Sequence, residues 1–255
     1  MQESYYHLSR EDRDELIEEI ERGIKKDLKG RVSVVAERFG SYPDTYIRRM
    51  VSRVLGWLYR DRPDLRSGIM DLLEKLLRHP DEKVRQTAVY TIAEIAIADT
   101  QDALRLLDLA VHDPHPAVRR GVVGVLKKMS QRDFPTVLQF ALRYLHHSDP
   151  ELRRVAIHGL ELHGRTHPED LLPLLRELQH DNSPRVRGMV VHVIGQISYR
   201  KGCLAQVASE MKNWENRELV ELALNEILDV HERYESFSDL TFEEALEYLK
   251  AEFPA

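Results

Sequence analysis

Apolar residues recur along this chain at intervals of three and four, in runs broken by short clusters of Asp, Ser, His and Pro. Four segments align without gaps: PDEKVRQTAVYTIAEIA, PHPAVRRGVVGVLKKMS, SDPELRRVAIHGLELHG and NSPRVRGMVVHVIGQIS. Each carries an apolar residue followed by Arg, at Val84-Arg85, Val118-Arg119, Leu152-Arg153 and Val186-Arg187, so the step is 34 residues. Apolar residues return four, five and eight positions after this anchor, as in Val84, Ala88, Val89, Ile92 and Val186, Val190, Val191, Ile194. That spacing is the stripe of an amphipathic helix. A second apolar run precedes each segment: GIMDLLEKLLRH, DALRLLDLAVH, FPTVLQFALRYLHH and DLLPLLRELQHD. The pattern therefore predicts a helix, a tight turn and a second helix, repeated. Weaker copies flank the four, around Ile47-Arg48 upstream and at Val220 downstream, where the Arg is missing. No run of 18 apolar residues exists, so no membrane span is expected.

The starts of the second helices carry their own signals. Three residues before the anchor stands Asp44, Asp81, Asp149 or Ser183, a type whose side chain accepts from an orphan N–H of the first turn. His115 takes that place in one copy. Pro116, Pro150 and Pro184 follow, where a missing N–H costs nothing. A single helix pair cannot bury both of its apolar faces, whereas stacked pairs can.

The pattern Leu-x-x-Leu-Leu…Asp-x-x-x-Pro-x-Val-Arg-x-x-Ala resembles HEAT repeats, particularly the short bacterial and archaeal subtype also found in phycobilin lyases, over roughly residues 31–234. The resemblance implies an all-α, right-handed α-solenoid of about six HEAT-like hairpins. The expected organisation is one domain, 1–255. An N-terminal capping helix falls within 1–30 (helix 9–28), repeats occupy 31–234, and an acidic capping helix falls within 235–255 (helix 241–251). It also implies that the Arg ladder, Arg48, Arg85, Arg119, Arg153 and Arg187, is structural and bonds acidic or carbonyl groups of the inter-helix turns. Asp113, Asp149 and Asp181 are the local acidic partners in reach. Second helices would line a concave face.

Charge sharpens that face. The total is −6, but residues 1–21 carry −6 and 206–255 carry −9, while 22–78 carry +7 and 79–205 carry +2. Positions two, six, nine and ten after the anchor lie away from the apolar stripe. They hold Arg49, Arg53, Trp57, Gln86, Tyr90, Glu94, Arg120, Lys127, Lys128, Arg154, His158, His192 and Gln196. From these, Arg49, Arg53, Trp57, Tyr90, Arg120, Lys128, Arg154 and His158 are expected to bind a partner. The basic groups would supply charge-assisted bonds and the aromatic groups contact area. A protein partner is the first reading. The alternative is a nucleic acid, with Tyr90 or Trp57 as stacking platform, as in a relative of HEAT-like alkylpurine DNA glycosylases, although that family's Trp-and-Asp pattern has no match here. The acidic and basic segments also suggest salt-sensitive self-association.

Other chemistry is sparse. His112, His146 and His180 recur one repeat apart at the ends of first helices, where imidazole can bond the last carbonyls. His163 and His167 are separated by Gly164 and followed by Pro168, and no HExxH is present. Deoxyhypusine hydroxylase, a HEAT-type metalloenzyme, carries several His-Glu pairs, whereas this chain has only His231-Glu232. No GxxxxGK[ST], GxGxxG or GxSxG signature occurs. Cys203, the single cysteine, excludes an intramolecular disulfide and a Cys-based zinc site, and is expected to be buried near a helix start. The polar N-terminus does not read as a signal peptide. The expectation is a cytoplasmic, non-enzymatic scaffold with no cofactor and no metal, binding a macromolecule through a basic, partly aromatic concave face.

Overall fold

The computed structural model describes residues 5–254, so positions 1–4 and 255 of the two capping segments lie outside the described residues. Within that range the chain is an all-α solenoid with no strand. Two compact units divide it, 1–125 and 126–255.

In the first unit, α1 (Arg10–Gly30) opens on a capping box between Ser9 and Asp12. Three hairpin helices and their partners follow: α2 (Val34–Gly40) with α3 (Thr45–Asp61), α4 (Arg66–Leu77) with α5 (Glu82–Ile95), and α6 (Thr100–Ala110) leading into α7 (Pro116–Ser130). The second helices α3 and α5 pack on one another. The second unit takes up the end of α7 and continues with α8 (Phe134–Leu145), α9 (Pro150–Gly164), α10 (Pro168–Glu177), α11 (Pro184–Ser198), α12 (Cys203–Met211), α13 (Arg217–Arg233) and α14 (Phe242–Glu252). Here α9 packs on α11, and α11 on α13.

The anchor stripe is the core. Val84, Ala88, Val89, Ile92, Val186, Val190 and Ile194 are all fully buried, and so is Trp214 at the turn before α13. Close approach of second helices requires the absence of a Cβ at several places, two of them in the second unit. A methyl on Gly159 would stand 2.8 Å from Leu126 Cβ, and one on Gly195 would stand 2.5 Å from Glu226 Cγ. Capping follows the sequence in most copies. Asp44, Asp81 and Asp149 accept from the N–H groups of Tyr46, Lys83 and Glu151, and His115 Nδ1 accepts from Ala117. Ser183 departs from the expectation: its side chain makes no cap bond, and Asp181 accepts the Ser183 N–H instead.

The Arg ladder ties each turn to its own helix and, in two repeats, to the next turn. Arg85 Nη1 donates to the carbonyls of His79 at 2.8 Å and Pro80 at 2.9 Å, while Nε and Nη2 grip the Asp113 carboxylate at 2.6 and 3.1 Å. Arg153 repeats this with His147 and Ser148 carbonyls and with Asp181 at 2.6 and 2.7 Å. Arg119 and Arg187 reach turn carbonyls only, Asp113 O and Pro114 O for the first and Asp181 O for the second. Arg48 bonds the carbonyls of Tyr42 and Pro43, Thr45 Oγ1 and Gln86 Oε1. Of the three expected acidic partners, Asp113 and Asp181 serve the ladder, and Asp149 caps its own helix.

The histidine ladder behaves differently from its expected role. His146 Nε2 meets Glu177 at 2.8 Å and His180 Nε2 lies 3.6 Å from Glu215, so these rings turn sideways to a neighbouring repeat's acid. Both pairs are exposed, so each contributes little to stability. Cys203 opens α12 and is buried, and burial pushes its thiol pKa up. No helix among the described residues is long and apolar enough to cross a membrane.

Burial ranks the ladder. The Arg85 and Asp113 side chains are 12% and 5% exposed, so Arg85→Ala leaves a buried carboxylate without its cation. Denaturant unfolding should show a loss of about 3–5 kcal/mol for Arg85→Ala and only about 1–2 kcal/mol for Arg119→Ala, which gives up bonds to neutral carbonyls. Equal losses would contradict this ranking.

Candidate functional site

In the first unit the outward positions of α3 and α5 form a basic-aromatic strip. Arg49 stacks over Tyr90 with its guanidinium carbon 4.5 Å from the ring centroid, and Arg53 lies 5.2 Å over Trp57. The two arginines are exposed and the two rings half-buried. Neither guanidinium pairs with a carboxylate among the described residues. Stacking uses the flat face of a guanidinium and leaves its in-plane N–H donors free. Arg120, on α7, is also exposed.

The remaining expected residues fall in the second unit and have different surroundings. Lys128 is exposed. Arg154 is tied back to Glu151 at 2.7 Å, and Glu151 also meets Arg185 at 3.2 Å, so its charge is already countered. Gln196, placed on the open face by its spacing, is buried, and its Oε1 accepts from Arg165 Nη2 at 2.6 Å. His158 belongs to a cluster that the sequence did not single out.

Glu161 is the centre of that cluster. It stands on α9, nine positions after the anchor, and has no exposed surface. A carboxylate with no water is expensive unless cations and donors surround it. Arg165 Nη2 donates to Oε1 at 2.7 Å. Around Oε2 stand Lys127 Nζ at 2.8 Å, His158 Nε2 at 3.3 Å and His192 Nε2 at 3.5 Å. Lys127 is thus an ion-pair contact and the imidazoles are longer ones, and none of the three completes a hydrogen bond of good geometry to this buried oxygen. On its far side, His192 Nδ1 lies 3.6 Å from Glu226 Oε1 of α13. The helix turn explains the local geometry: His158, Glu161 and Arg165 are spaced three and four apart and share one face of α9. The 34-residue repeat explains the rest, since Lys127 and His192 occupy the matching turns of α7 and α11.

The charges respond to this packing. Burial alone would raise the Glu161 pKa, but the His158, His192 and Lys127 contacts reverse that and hold it far below the usual carboxylate range. Burial is the main influence on His158 and depresses its pKa below the ordinary 6.5, despite the pull of Glu161. His231, buried with Nδ1 2.8 Å from Ile227 O, is depressed for the same reason. Lys127, Glu161 and Arg165 carried no motif. The visible signal was Glu161 itself, an acid one turn after His158 on the flank of an otherwise apolar stripe.

A family model described as HEAT repeats matches residues 69–161 and 138–225. Among solved structures, AlkD2 from Streptococcus mutans is 19% identical with a TM-score of 0.58, covering 77% of this chain and 97% of that one. The protein smu.31 from Streptococcus mutans UA159 is also 19% identical, with a TM-score of 0.51 over 69% of this chain and 97% of that one. The CpcE–CpcF complex of phycocyanin lyase from Nostoc sp. PCC7120 is 21% identical with a TM-score of 0.36, over 83% of this chain and 75% of that one. At these identities the likeness to AlkD2 and smu.31 is one of fold. No curated protein matched the sequence.

Depressed imidazole pKa values fix the sign of an acid response. The unfolded chain takes up protons near 6.5 while folded His158 and His231 resist, so their contribution is present above 6.5 and lost as pH falls from there through their lower folded pKa values. The thermal midpoint should fall from neutral pH to about pH 5, and His158→Gln should remove part of that slope. A midpoint with the same pH slope in His158→Gln as in the parent chain would sink this assignment.

Proposed function

The chain belongs to the HEAT-repeat family, and from that premise we propose that it is a non-enzymatic scaffold that binds an acidic protein partner on its second-helix face. The observation that carries this reading is the pair of cation–π stacks, Arg49 on Tyr90 and Arg53 on Trp57. Each presents an uncountered guanidinium edge beside a half-buried ring. Arg, Tyr and Trp are the residue types in which interface energy concentrates. A partner carboxylate would meet the guanidinium fork with two parallel bonds, and the rings would supply the contact area. Arg120 is a supporting position in the same unit, whereas Lys128, Arg154 and His158 are candidate contacts of the second unit taken by itself. Arg154 contributes less, because Glu151 already holds it.

A duplex nucleic acid is the competing occupant. Strong duplex binding rests on about 6–10 phosphate contacts. Arg49, Arg53 and Arg120 provide three cations on the first unit's second helices that pair with no carboxylate among the described residues, fewer than such a set of phosphate contacts. That balance favours an acidic protein segment.

A labelled glutamate-rich peptide and a labelled duplex, each titrated at low and physiological salt, separate the two. The peptide should bind, and Arg49→Glu with Arg53→Glu should weaken it about 100-fold, near 3 kcal/mol, while circular dichroism stays unchanged. Tighter binding to the duplex, with affinity falling steeply as salt rises, would overturn the protein reading. Undiminished peptide binding by the double variant would remove the strip from consideration.

A further inference from the structure

The Glu161 cluster contains more than an ion pair needs. Two cations, Lys127 and Arg165, already outweigh one carboxylate, yet two imidazoles also turn their Nε2 atoms toward the same oxygen. We propose that His158 Nε2, Glu161 Oε2 and His192 Nε2 form a binding site for one divalent transition-metal ion of the zinc class, distinct from the basic-aromatic strip.

Three observations support the assignment. First, the donor spacing fits. Metal–nitrogen and metal–oxygen bonds of about 2.0–2.2 Å put neighbouring ligands of a tetrahedral ion about 3.3–3.5 Å apart. The two imidazole nitrogens lie 3.3 and 3.5 Å from Glu161 Oε2, and one donor atom from each residue lies within 4.8 Å of the others. Second, Oε2 is fully buried, surrounded by nitrogens, and satisfied by none of them with good geometry. Imidazole nitrogens gathered on a buried carboxylate oxygen are a donor set that a metal ion of this class takes up. Third, part of an outer shell is in place, and a second carboxylate stands near enough to join it. Arg165 holds the other carboxylate oxygen at 2.7 Å, and Glu226 stands 3.6 Å behind His192 Nδ1. A carboxylate behind a ligating imidazole fixes its tautomer and orientation.

The imidazole–carboxylate set suits zinc and its first-row neighbours better than magnesium or calcium, which favour all-oxygen shells. The ligands come from His158-x-x-Glu161 on one helix and from His192, 34 residues beyond His158, on the next second helix. No contiguous metal motif therefore exists, which is why the sequence led to the expectation of no metal.

Lys127 makes the proposal unusually easy to test. Its ammonium stands 2.8 Å from Oε2, where it serves as the carboxylate's counter-ion, and its side chain is 20% exposed on a flexible stem that can swing outward. Metal and ammonium must therefore compete for the same oxygen. Removing the ammonium should help the metal, an effect that a surface-bound ion would not show.

The experiment is a zinc titration of the full chain against a chromophoric chelator, with cobalt absorption as a second readout of coordination. One zinc per chain is expected. His192→Ala should weaken it about 100-fold or more, Glu226→Gln about tenfold, and Lys127→Ala should tighten it about tenfold. His146→Ala and His163→Ala remove other histidines paired with acids and should leave affinity unchanged. Circular dichroism of each variant verifies the fold. An absence of stoichiometric zinc in both the parent and Lys127→Ala would overturn the proposal. So would equal affinity in His192→Ala, or no gain in Lys127→Ala, because the bound ion would then lie elsewhere.

Discussion

The structure depends on an arginine in the first turn of five successive second helices, which reaches back into the turn before it. Those turns connect antiparallel helices in few residues, so they expose backbone carbonyls with no helical partner. The guanidinium fork answers this with several N–H donors in one plane. In Arg85 and Arg153 the same group also clasps an aspartate from the following turn, 28 residues on. One side chain thus satisfies its own turn and fastens the neighbouring one. A linear stack of hairpins needs such nearest-neighbour coupling, because its stability is a sum of repeat and interface contributions.

A second buried ionic arrangement has another character. The ladder pairs are matched fork to fork, with short, well-directed bonds. Glu161 instead sits beneath a ring of nitrogens that crowd one oxygen without completing its bonds. The first geometry serves stability. The second holds a carboxylate ionised in a dry setting with imidazoles beside it, which is the setting in which coordination becomes favourable. The two kinds of site stand on the same helices, since the scaffold repeats its ladder while the outward positions vary from repeat to repeat.

The strip on α3 and α5 shows how much a spacing argument delivers. Arg49, Arg53, Trp57 and Tyr90 were legible as outward residues because helical periodicity places them away from the apolar stripe. That they pair, arginine on ring, depends on rotamers and on the packing of α3 against α5. The same rule misplaced Gln196, which periodicity puts outside and which packing draws into the buried Arg165–Glu161 group. It also gave His146 a role at its own helix end, whereas the ring bonds Glu177 of the next hairpin. In each case the competing partner came from a neighbouring repeat, which spacing within one helix does not reveal.

By itself, then, the sequence determined the repeat, its 34-residue step, the helix starts and the residues that form the core. These follow from local preferences: apolar periodicity, capping side chains, proline at the first helical position, and an arginine beside the turns of five copies. Tertiary structure decided which side chains from successive repeats meet. Residues one period apart become neighbours, yet whether they touch depends on how closely the helices approach. That approach is set by features such as the missing Cβ atoms of Gly159 and Gly195. Lys127, Glu161 and His192 converge because the last turn of α7 meets α9, and α9 packs on α11, closely enough to exclude water from a single carboxylate. Charge in a solvated helix face is unremarkable, whereas the same charge without water must recruit every donor within reach.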